Sequence, residues 1–572
     1  MTERQSDKSG VFMSALIFLL FVAVVYLNFS DRFRDYIPIG DEPALLQGSL
    51  KYGPNQWMLS GYSKYFEIYP EWFVPYTNFI RPATNAIVWI SGVIFESNYL
   101  FYILPYYFSI IFCVFMMFHI HRMMRINRYL FSIFLVFWLF SPAVSGPGLW
   151  NVPFIFDVVA TAVVVSAFLC VLKERYVSGI ILLTIAVFTK ETALFAPFAA
   201  ALTILAVRPL TSKRGWFAAA AMLPIILWMG VRQFAFGAVL GGTYASVGIM
   251  NLVKGLTVWP IGVSGVSMLL KTWRDGEGVI FNTSLALFYI ILNFVVLFSV
   301  FIICYKIVSS FKSGAWFKFN RPDSEFERYF FAAILWFSLS TAYVVLLGVG
   351  GRFGSSAYFF LGIILAAAPK LYPGEAAGRL PVVALALLAA TFLVSSLAAM
   401  EKDAASARDQ SALAKSLYNA LRRLPQDGEG VLIVNAPAAY SAPSSIEWVT
   451  QTSNEVHFLN QFEGCTHVED GSAIAGVYAE LQQIHVVIPK CAKIVFLGAK
   501  MPIAASSSDS VLTRGNFGSY RFNSVSNQKN AITGAQSVDF GSDFTFIPSR
   551  KFSHVIFYEW NESRYYSFQL NK

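Results

Sequence analysis

Charged residues are scarce in this chain. Asp, Glu, Lys and Arg together make up 13% of its 572 residues, whereas hydrophobic residues make up 56%. A soluble globular domain carries roughly twice that charged fraction, so the composition indicates a polytopic membrane protein with a soluble remainder. The formal net charge is +9, but the basic residues are scattered among short segments between apolar runs. That distribution is typical of membrane-protein loops and argues against nucleic acid as a partner.

Cysteine is also rare, and no cluster of Cys and His has metal-ligand spacing. Three of the five cysteines, Cys113, Cys170 and Cys304, fall inside apolar runs, where a free thiol packs as a small hydrophobic group. Cys465 and Cys491 lie in the polar C-terminal region. An oxidising compartment permits a disulfide between them, but their distance cannot be read from the sequence, and the pairing stays open. The chain also lacks internal repeats and coiled-coil heptads.

Apolar runs of membrane-spanning length recur along the first 400 residues. The first, residues 11–29, has no small-residue cleavage site after it, so we expect a retained signal anchor. Residues 83–95 are too short to span with confidence, and we expect a helix lying in the membrane interface. The other runs bring the predicted number of spans to about eleven. They are residues 99–121, 129–145, 155–172, 177–189, 193–207, 216–234, 282–305, 329–349, 355–369 and 380–399.

Basic residues are unevenly divided between the two sets of loops. They are dense in HRMMRINR, KERY, RPLTSKRG, PKLYPGEAAGR and the 306–328 loop, which the positive-inside rule assigns to the cytoplasm. The opposite set contains the 30–98 loop, the Lys190-Glu191 junction, the 235–281 loop and GGRFGSS. We therefore predict a cytoplasmic N-terminus. An odd number of spans then leaves the C-terminal region outside the cytoplasm.

The predicted fold class is a mainly α polytopic membrane protein with a C-terminal α+β soluble domain. We divide the chain into a cytoplasmic tail (residues 1–10), a membrane domain (11–399) and an extracytoplasmic domain (400–572). The last begins with an expected amphipathic helix, residues 401–424, in which leucines recur at helical spacing. These leucines are Leu413, Leu417, Leu421 and Leu424. Strands are predicted for the runs VLIVNA (431–436), IHVVI (484–488), KIVFLG (493–498), FTFI (544–547) and SHVIFY (553–558).

An acidic pair, Asp41-Glu42, stands in the first external loop. Acidic residues often do no more than stabilise a helix N-terminus. Alternatively, one carboxylate acts as a general base toward a hydroxyl or amine while the other supports it. Arg81, followed by Pro82, lies near the end of the same loop. It is either an arginine reaching the interface from the bilayer edge or a fixed guanidinium that binds phosphate.

Two more charged positions lie between spans on the same predicted face. Lys190-Glu191 interrupts AVFTKETALFAP, and Arg352 stands in GVGGRFGSS. Lys190-Glu191 is either the tip of a helical hairpin or a place where the lysine neutralises an anionic substrate. Arg352 belongs either to a tight turn or to a backbone segment that approaches a ligand closely. A base grouped with several cations favours attack on a substrate whose leaving group is a phosphate.

At these residues the chain resembles the integral-membrane glycosyltransferases of the GT-C class, closest to the protein O-mannosyltransferase and aminoarabinose-transferase branch. The likeness covers roughly residues 10–370. It rests on Asp41-Glu42, Arg81-Pro82, Lys190-Glu191, and Arg352 with Tyr358 beyond it. Each motif is short, and their order and spacing carry the resemblance.

The resemblance implies transfer of a sugar from a polyprenyl-phosphate carrier to a glycan, lipid or protein acceptor at the external face. Asp41 inherits the role of base and Glu42 supports it. Binding of the lipid phosphate falls to Arg352 first, then Lys190, then Arg81, with Glu191 and Tyr358 in support. The reaction is expected to invert the anomeric carbon. The implied location is a bacterial inner membrane with the C-terminal domain in the periplasm. We predict neither a cofactor nor a metal.

Some residues depart from the family pattern. Pro43 follows the acidic pair directly, and no aromatic residue appears nearby until Tyr52. The surroundings of Arg352 are rich in glycine rather than tyrosine. These departures affect the prediction of which class of sugar the donor carries more than the prediction of the reaction.

Two other functions compete. A transporter or flippase of a lipid-linked sugar would carry charges buried in mid-span. An O-antigen polymerase or ligase would place its arginines in a large late loop, for which residues 235–281 (Lys254, Lys271, Arg274) are the candidate. A simple membrane anchor needs far fewer spans.

Overall fold

The chain folds into two compact units, which are described separately. The first comprises Met1–Tyr36, Tyr52–Gly61 and Asn78–Ser406, and the second comprises Ile37–Lys51, Tyr62–Thr77 and Ala407–Lys572. The computed structural model describes residues 2–34, 37–38, 42, 81–95, 99–146, 152–206, 211–236, 298–299, 302, 325–347, 354–371, 378–426, 430–434, 453, 455–458, 476–480, 483–487, 510–514, 518–522, 525–529, 536–540, 543–548, 552–559 and 564–569.

The helices of the described residues lie mainly in the first unit, and the last of them ends in the second unit. They are α1 (Thr2–Arg34), α2 (Pro82–Phe95), α3 (Tyr99–Met124), α4 (Arg128–Leu139), α5 (Val152–Leu172), α6 (Tyr176–Thr189), α7 (Ala196–Ala206), α8 (Ser212–Ala220), α9 (Leu223–Phe236), α10 (Glu325–Leu347), α11 (Ser355–Ala367) and α12 (Arg379–Arg422), with 3₁₀ turns at Glu191–Ala193 and Ala368–Leu371.

Five helical segments are long and apolar enough to cross a membrane in the part of the chain that the structure describes. They are Phe12–Arg32, Tyr102–Met124, Ile155–Leu172, Ser212–Phe234 and Arg379–Arg422. A helix satisfies its own backbone hydrogen bonds, so apolar sequence of this length is stable in lipid. The protein is therefore a helical membrane protein. Several other apolar helices are shorter, including α2, α4 and α6, and the number of eleven spans stays a prediction.

Helices α5 and α6 form a tight antiparallel hairpin. At the end of α5, the amide of Arg175 donates to the carbonyl of Cys170 at 2.8 Å, and that of Glu174 donates to Val171 at 3.1 Å. This pair of bonds is the Schellman pattern, which needs a left-handed residue where glycine is usual. Glu174 has that conformation, with φ of 60°. A side chain in this conformation costs about 1 kcal/mol relative to glycine.

An aromatic core joins α4 to α11 and α12. The ring of Phe137 lies 6.2 Å from Tyr358 and stacks on Phe392 at 5.2 Å. The rings of Phe134 and Trp138 each meet Phe359 at 5.8 Å. Edge-to-face and offset arrangements at these distances add to the hydrophobic contribution of burial. This packing fixes the start of α11 against the rest of the bundle.

At the far end of α11, Lys370 joins three elements. Its Nζ donates to the carbonyl of Met124, the last residue of α3, at 2.7 Å and lies 5.2 Å from the ring of Phe326 on α10. A cation at a helix C-terminus stabilises the unsatisfied carbonyls there. The end of α3, the start of α10 and the end of α11 therefore meet at one end of the bundle.

The predicted boundary at residue 400 does not interrupt the helix. We expected a span at residues 380–399 and an amphipathic helix at the start of the region that follows, and both lie in one helix, because α12 runs unbroken from Arg379 to Arg422. The segment around Glu401 contains neither proline nor glycine and consists mostly of good helix formers. Leu417, Leu421 and Leu424 are buried as the spacing predicts, and Leu413 is partly exposed.

The second unit contains β-strands. They are β1 (Gly430–Val434), β2 (Glu455–Phe458), β3 (Gly476–Glu480), β4 (Gln483–Val487), β5 (Ser510–Arg514), β6 (Gly518–Phe522), β7 (Val525–Lys529), β8 (Gln536–Phe540), β9 (Asp543–Pro548), β10 (Phe552–Glu559) and β11 (Arg564–Gln569). The predicted runs at 431–436, 484–488, 544–547 and 553–558 correspond to β1, β4, β9 and β10. The run at 493–498, together with Cys465 and Cys491, lies outside the described residues.

These strands form three sheets in the described residues. Their orders are β11-β10-β1-β2, β3-β4-β9-β6-β5 and β7-β8. Strand β1 is parallel to both of its neighbours, β10 and β2. Val431 on β1 and Ile556 on β10 are fully buried. The treatment of residues 400–572 as a separate soluble domain stays a prediction.

The close contact between α11 and α4 yields a stability test. A Cβ built at Gly362 overlaps the ring of Phe134 and lies 3.2 Å from Cδ1 of Phe137. Gly362→Ala should lower the free energy of unfolding by about 1–3 kcal/mol, because both rings are buried and cannot move aside. Thermal unfolding of the purified protein in detergent measures this effect.

Gly230→Ala on α9 is the matched control, because nothing lies within 4 Å of a Cβ at that helical position. It should be neutral or slightly stabilising. Equal melting temperatures for the two variants would contradict the packing described for α4 and α11.

Candidate functional site

The predicted site residues fall into three groups. Arg81, Lys190 and Glu191 belong to the first unit, whereas Glu42 belongs to the second, where its side chain is fully buried. Asp41 and Arg352 lie outside the described residues, as does most of the 235–281 loop. The residues of the first group lie close together.

Arg81 and Glu191 form a bidentate ion pair. Nε of Arg81 donates to Oε1 and Oε2 of Glu191 at 3.0 and 2.9 Å, and Nη2 lies 2.8 Å from Oε2. The side chain of Glu191 is 1% exposed and that of Arg81 is 13% exposed. Charge-assisted pairs with this fork geometry are among the stronger polar interactions in proteins. The contact joins residues 110 positions apart in the chain.

Lys190, the neighbour of Glu191, pairs with a residue that the sequence analysis overlooked. Its Nζ lies 3.4 Å from Oδ2 of Asp157, and both side chains are almost completely buried. Asp157 stands on α5, five residues after the helix begins at Val152. Its Oδ1 is buried and has no hydrogen-bond partner among the residues that the structure describes. Asp157 is the single charged residue of that apolar helix, which by itself is a signal of function.

Local sequence explains how Arg81 and Lys190 reach each other. Pro82 begins α2, a position where its missing N–H is harmless, and the carbonyl of Arg81 accepts from the amide of Asn85 at 2.9 Å. Lys190 has an extended backbone and ends α6. The hydroxyl of Thr84 then donates to the carbonyl of Thr189 at 2.7 Å. This buried bond ties the first turn of α2 to the last residue of α6.

We call the four residues Arg81, Asp157, Lys190 and Glu191 the charged cluster. It contains two cations and two carboxylates, so its formal charge is zero. Burial lowers the pKa of Lys190 most, and the nearby Arg81 lowers it further, while Asp157 and Glu191 oppose both effects. Each cation is already neutralised by a carboxylate. An incoming phosphate would therefore compete with Asp157 or Glu191 for its cation.

The start of α11 lies beside the helix that carries Asp157. The hydroxyl oxygens of Ser356 and Thr161 are 2.9 Å apart, and Thr161 also donates to the carbonyl of Asp157 at 2.9 Å. Arg352 precedes α11 by only a few residues. Tyr358, which we expected to support the site, is fully buried, and its ring packs against Phe137 and Phe392. Its described ring contacts are those of a core residue.

Two further cations that the sequence does not single out, Arg32 on α1 and Arg232 on α9, are buried. Arg232 on α9 is 1% exposed, and its guanidinium lies 5.1 Å from the ring centre of Trp228. An arginine is rarely buried without a specific reason. No group of three or more His, Cys, Asp or Glu side chains that could hold a metal ion occurs among the described residues.

Comparison with models of protein families gives no match to the chain, and comparison with curated protein sequences gives none either.

Removing one member of the Arg81–Glu191 pair would leave the other charge buried and uncompensated. Arg81→Met and Glu191→Met should each lower the free energy of unfolding by about 3 kcal/mol. The double variant should recover part of that loss, with a coupling of roughly 1–3 kcal/mol. A double-mutant cycle on the detergent-purified protein, followed by thermal or denaturant unfolding, measures both quantities.

The Arg214–Glu174 pair supplies the matched control. Its atoms are 3.4 Å apart, and the side chains are 15% and 38% exposed, so the same cycle should give a coupling of about 1 kcal/mol or less. A similar coupling at the two pairs would contradict the role of burial in the charged cluster.

Proposed function

We propose that the protein is a glycosyltransferase that moves a sugar from a polyprenyl-phosphate carrier to an acceptor at the external face of the membrane. One observation carries the proposal beyond sequence resemblance. Arg81 and the adjacent pair Lys190-Glu191 stand in two separate motifs of the sequence, and they meet in one largely buried cluster with Asp157. Convergence of distant charged residues inside a membrane protein is a mark of a functional site.

The proposal assigns each residue a role in a single displacement. Asp41 takes the proton of the acceptor hydroxyl, and the acceptor oxygen attacks the anomeric carbon. The bond from that carbon to the phosphate oxygen breaks, and the polyprenyl phosphate leaves with the electron pair. Glu42 supports Asp41. Cations stabilise the charge that develops on the leaving phosphate.

The neutrality of the charged cluster supports the expected ranking of the cations as phosphate ligands, with Arg352 first. Lys190 and Arg81 each have a carboxylate partner, so we assign the main phosphate contact to Arg352. Lys190 contributes its charge from a position that Asp157 holds in place. The hydrogen bond from Ser356 to Thr161 supports this assignment, because it holds the start of α11 one turn from Asp157 on α5.

We propose in addition that the chain spans the membrane about eleven times in a GT-C-like arrangement, and that residues 400–572 form an α+β domain outside the cytoplasm. The protein would lie in a bacterial inner membrane with its N-terminus in the cytoplasm. A glycan, a lipid or a protein would serve as acceptor.

A transporter of a lipid-linked sugar is the second candidate, and Asp157 favours it. A buried carboxylate with one unpaired oxygen is typical of coupling sites in transporters. The position of Asp157 near the start of α5, rather than at its middle, favours the enzyme. Reconstituted vesicles separate the two functions, because an enzyme yields a glycosylated acceptor whereas a transporter yields only lipid-linked sugar on the opposite leaflet.

The role of Asp41 as base is tested by Asp41→Asn. The variant should lose sugar transfer almost completely, since an amide cannot accept the acceptor proton, while its abundance in the membrane stays normal. Surface glycans of cells with the variant, the wild type and no gene give the comparison. Asp31→Asn, on α1, is the control and should transfer normally. Normal transfer by Asp41→Asn would exclude the proposed base.

The positioning role of Asp157 predicts a change in pH dependence. Asp157 raises the pKa of Lys190, whereas burial and Arg81 lower it. Asp157→Asn should therefore cause the ammonium to lose its proton at a lower pH. The KM for the lipid donor should begin to rise at a lower pH in the variant than in the wild type.

Donor KM and kcat measured from about pH 6 to pH 10 test this shift. Glu174→Gln removes a carboxylate at the other end of the same hairpin and should leave the profile unchanged. Identical profiles for Asp157→Asn and the wild type would contradict the role given to Lys190.

A further inference from the structure

A second polar feature lies at the opposite end of the α5–α6 hairpin from the charged cluster. There the turn between α5 and α6 and the first turn of α8 enclose a cleft of about 750 Å³. Fifteen helical residues lie between Asp157 and the turn, which corresponds to about 23 Å along the helix axis. The hydrocarbon core of a bilayer is about 30 Å thick. The cleft and the charged cluster therefore lie near opposite boundaries of the membrane.

The cleft is basic. Arg175, Lys213 and Arg214 line it together with a single carboxylate, that of Glu174. Glu174 lies 3.4 Å from Arg214, so one cation is partly neutralised. Arg175 and Lys213 are exposed, and neither has an ion-pair partner among the described residues. Helices α6 and α8 both begin at the cleft, and the positive ends of their dipoles add to its charge.

The same cleft has an apolar side. The rings of Tyr176 and Phe217 line it with their centres 5.0 Å apart. From its edge, a stripe of exposed residues continues along α6 at four-residue spacing: Val177, Ile181 and Ile185. Trp216, adjacent to Phe217, is 78% exposed. Tryptophan is enriched where the headgroup region meets the hydrocarbon, so Trp216, although it does not line the cleft, is typical of this depth, and the apolar stripe on α6 suits a lipid chain.

Charge bias assigns a membrane face to the cleft. Its basic residues come from KERY and RPLTSKRG, two of the segments that the positive-inside rule puts in the cytoplasm. The cytoplasmic leaflet is rich in anionic lipids, and basic pockets between helices on that side bind their headgroups. A free phosphate ester would match the cations but would leave the apolar stripe unused.

We propose that this cleft binds an anionic phospholipid of the cytoplasmic leaflet. Arg175 and Lys213 hold the headgroup phosphate, and one acyl chain lies along the stripe on α6. The site is independent of sugar transfer, which we assign to the opposite face.

Trp216 provides a local reporter. The full-length protein is reconstituted in vesicles of zwitterionic phosphatidylcholine containing a fixed fraction of phosphatidylglycerol, with bromine on the acyl chains of one lipid or the other. The protein has 13 tryptophans, so the signal of Trp216 is obtained as the difference from a Trp216→Phe protein. Quenching then gives the relative affinity of the two lipids beside Trp216.

The wild type should prefer the anionic lipid, and Arg175→Gln/Lys213→Gln should reduce that preference by about five-fold for each cation, or roughly 25-fold together. Arg128→Gln is the matched control. It removes an exposed cation that begins α4 outside the cleft, and it should leave the preference unchanged. Unaltered melting temperatures establish that the variants are folded.

If the two brominated lipids quench the wild type equally, the proposal is overturned by the wild-type measurement alone. It is also overturned if Arg128→Gln loses as much preference for the anionic lipid as the double variant does, because general surface charge would then be the cause. A third arm adds glycerol phosphate to the protein in detergent. Cleft-dependent binding of this soluble ester, with no preference between lipids, would assign the site to a free phosphate ester instead.

Discussion

The first unit depends on mutual neutralisation of four charges, of which three are almost completely buried and the fourth, Arg81, is 13% exposed. A single carboxylate or ammonium in a membrane interior costs several kcal/mol, so neither Asp157 nor Lys190 would be stable there alone. Together with Arg81 and Glu191 they compensate one another, and the contacts join α2, α5 and the junction after α6. The arrangement of these helices and the position of any substrate beside them are therefore set by the same contacts.

The two ends of the hairpin differ in their polar chemistry. At one end the charges are buried and paired, which suits a site of fixed geometry from which water is excluded. At the other end the cations are exposed beside apolar residues, which suits a ligand with a charged head and an apolar tail. Neither end resembles the apolar middle of the hairpin. This difference follows the charges in the sequence, because Asp157 and Lys190 lie at one end of the hairpin and the KERY turn lies at the other.

Sequence patterns predict some of this organisation better than the rest. Lys190-Glu191 and Arg81 are conspicuous because they interrupt apolar sequence, and they do lie in one cluster. Asp157 is less visible, because one acidic residue barely changes the hydropathy of α5. The continuity of α12 is also hidden, since composition changes at Glu401 while helix propensity does not. The pairing of β1 with β10 joins strands more than a hundred residues apart, which local patterns cannot specify.

The pairing of Asp157 with Lys190 has a consequence for biosynthesis. Asp157 emerges from the ribosome before Lys190, so α5 reaches the translocon carrying a carboxylate without its partner. A single helix with an acidic residue partitions into lipid less readily than one without it. The hairpin of α5 and α6 removes that penalty once both helices are present. We therefore expect α5 to enter the bilayer more favourably once α6 has followed it, so the ion pair between the two helices also bears on the order of membrane insertion.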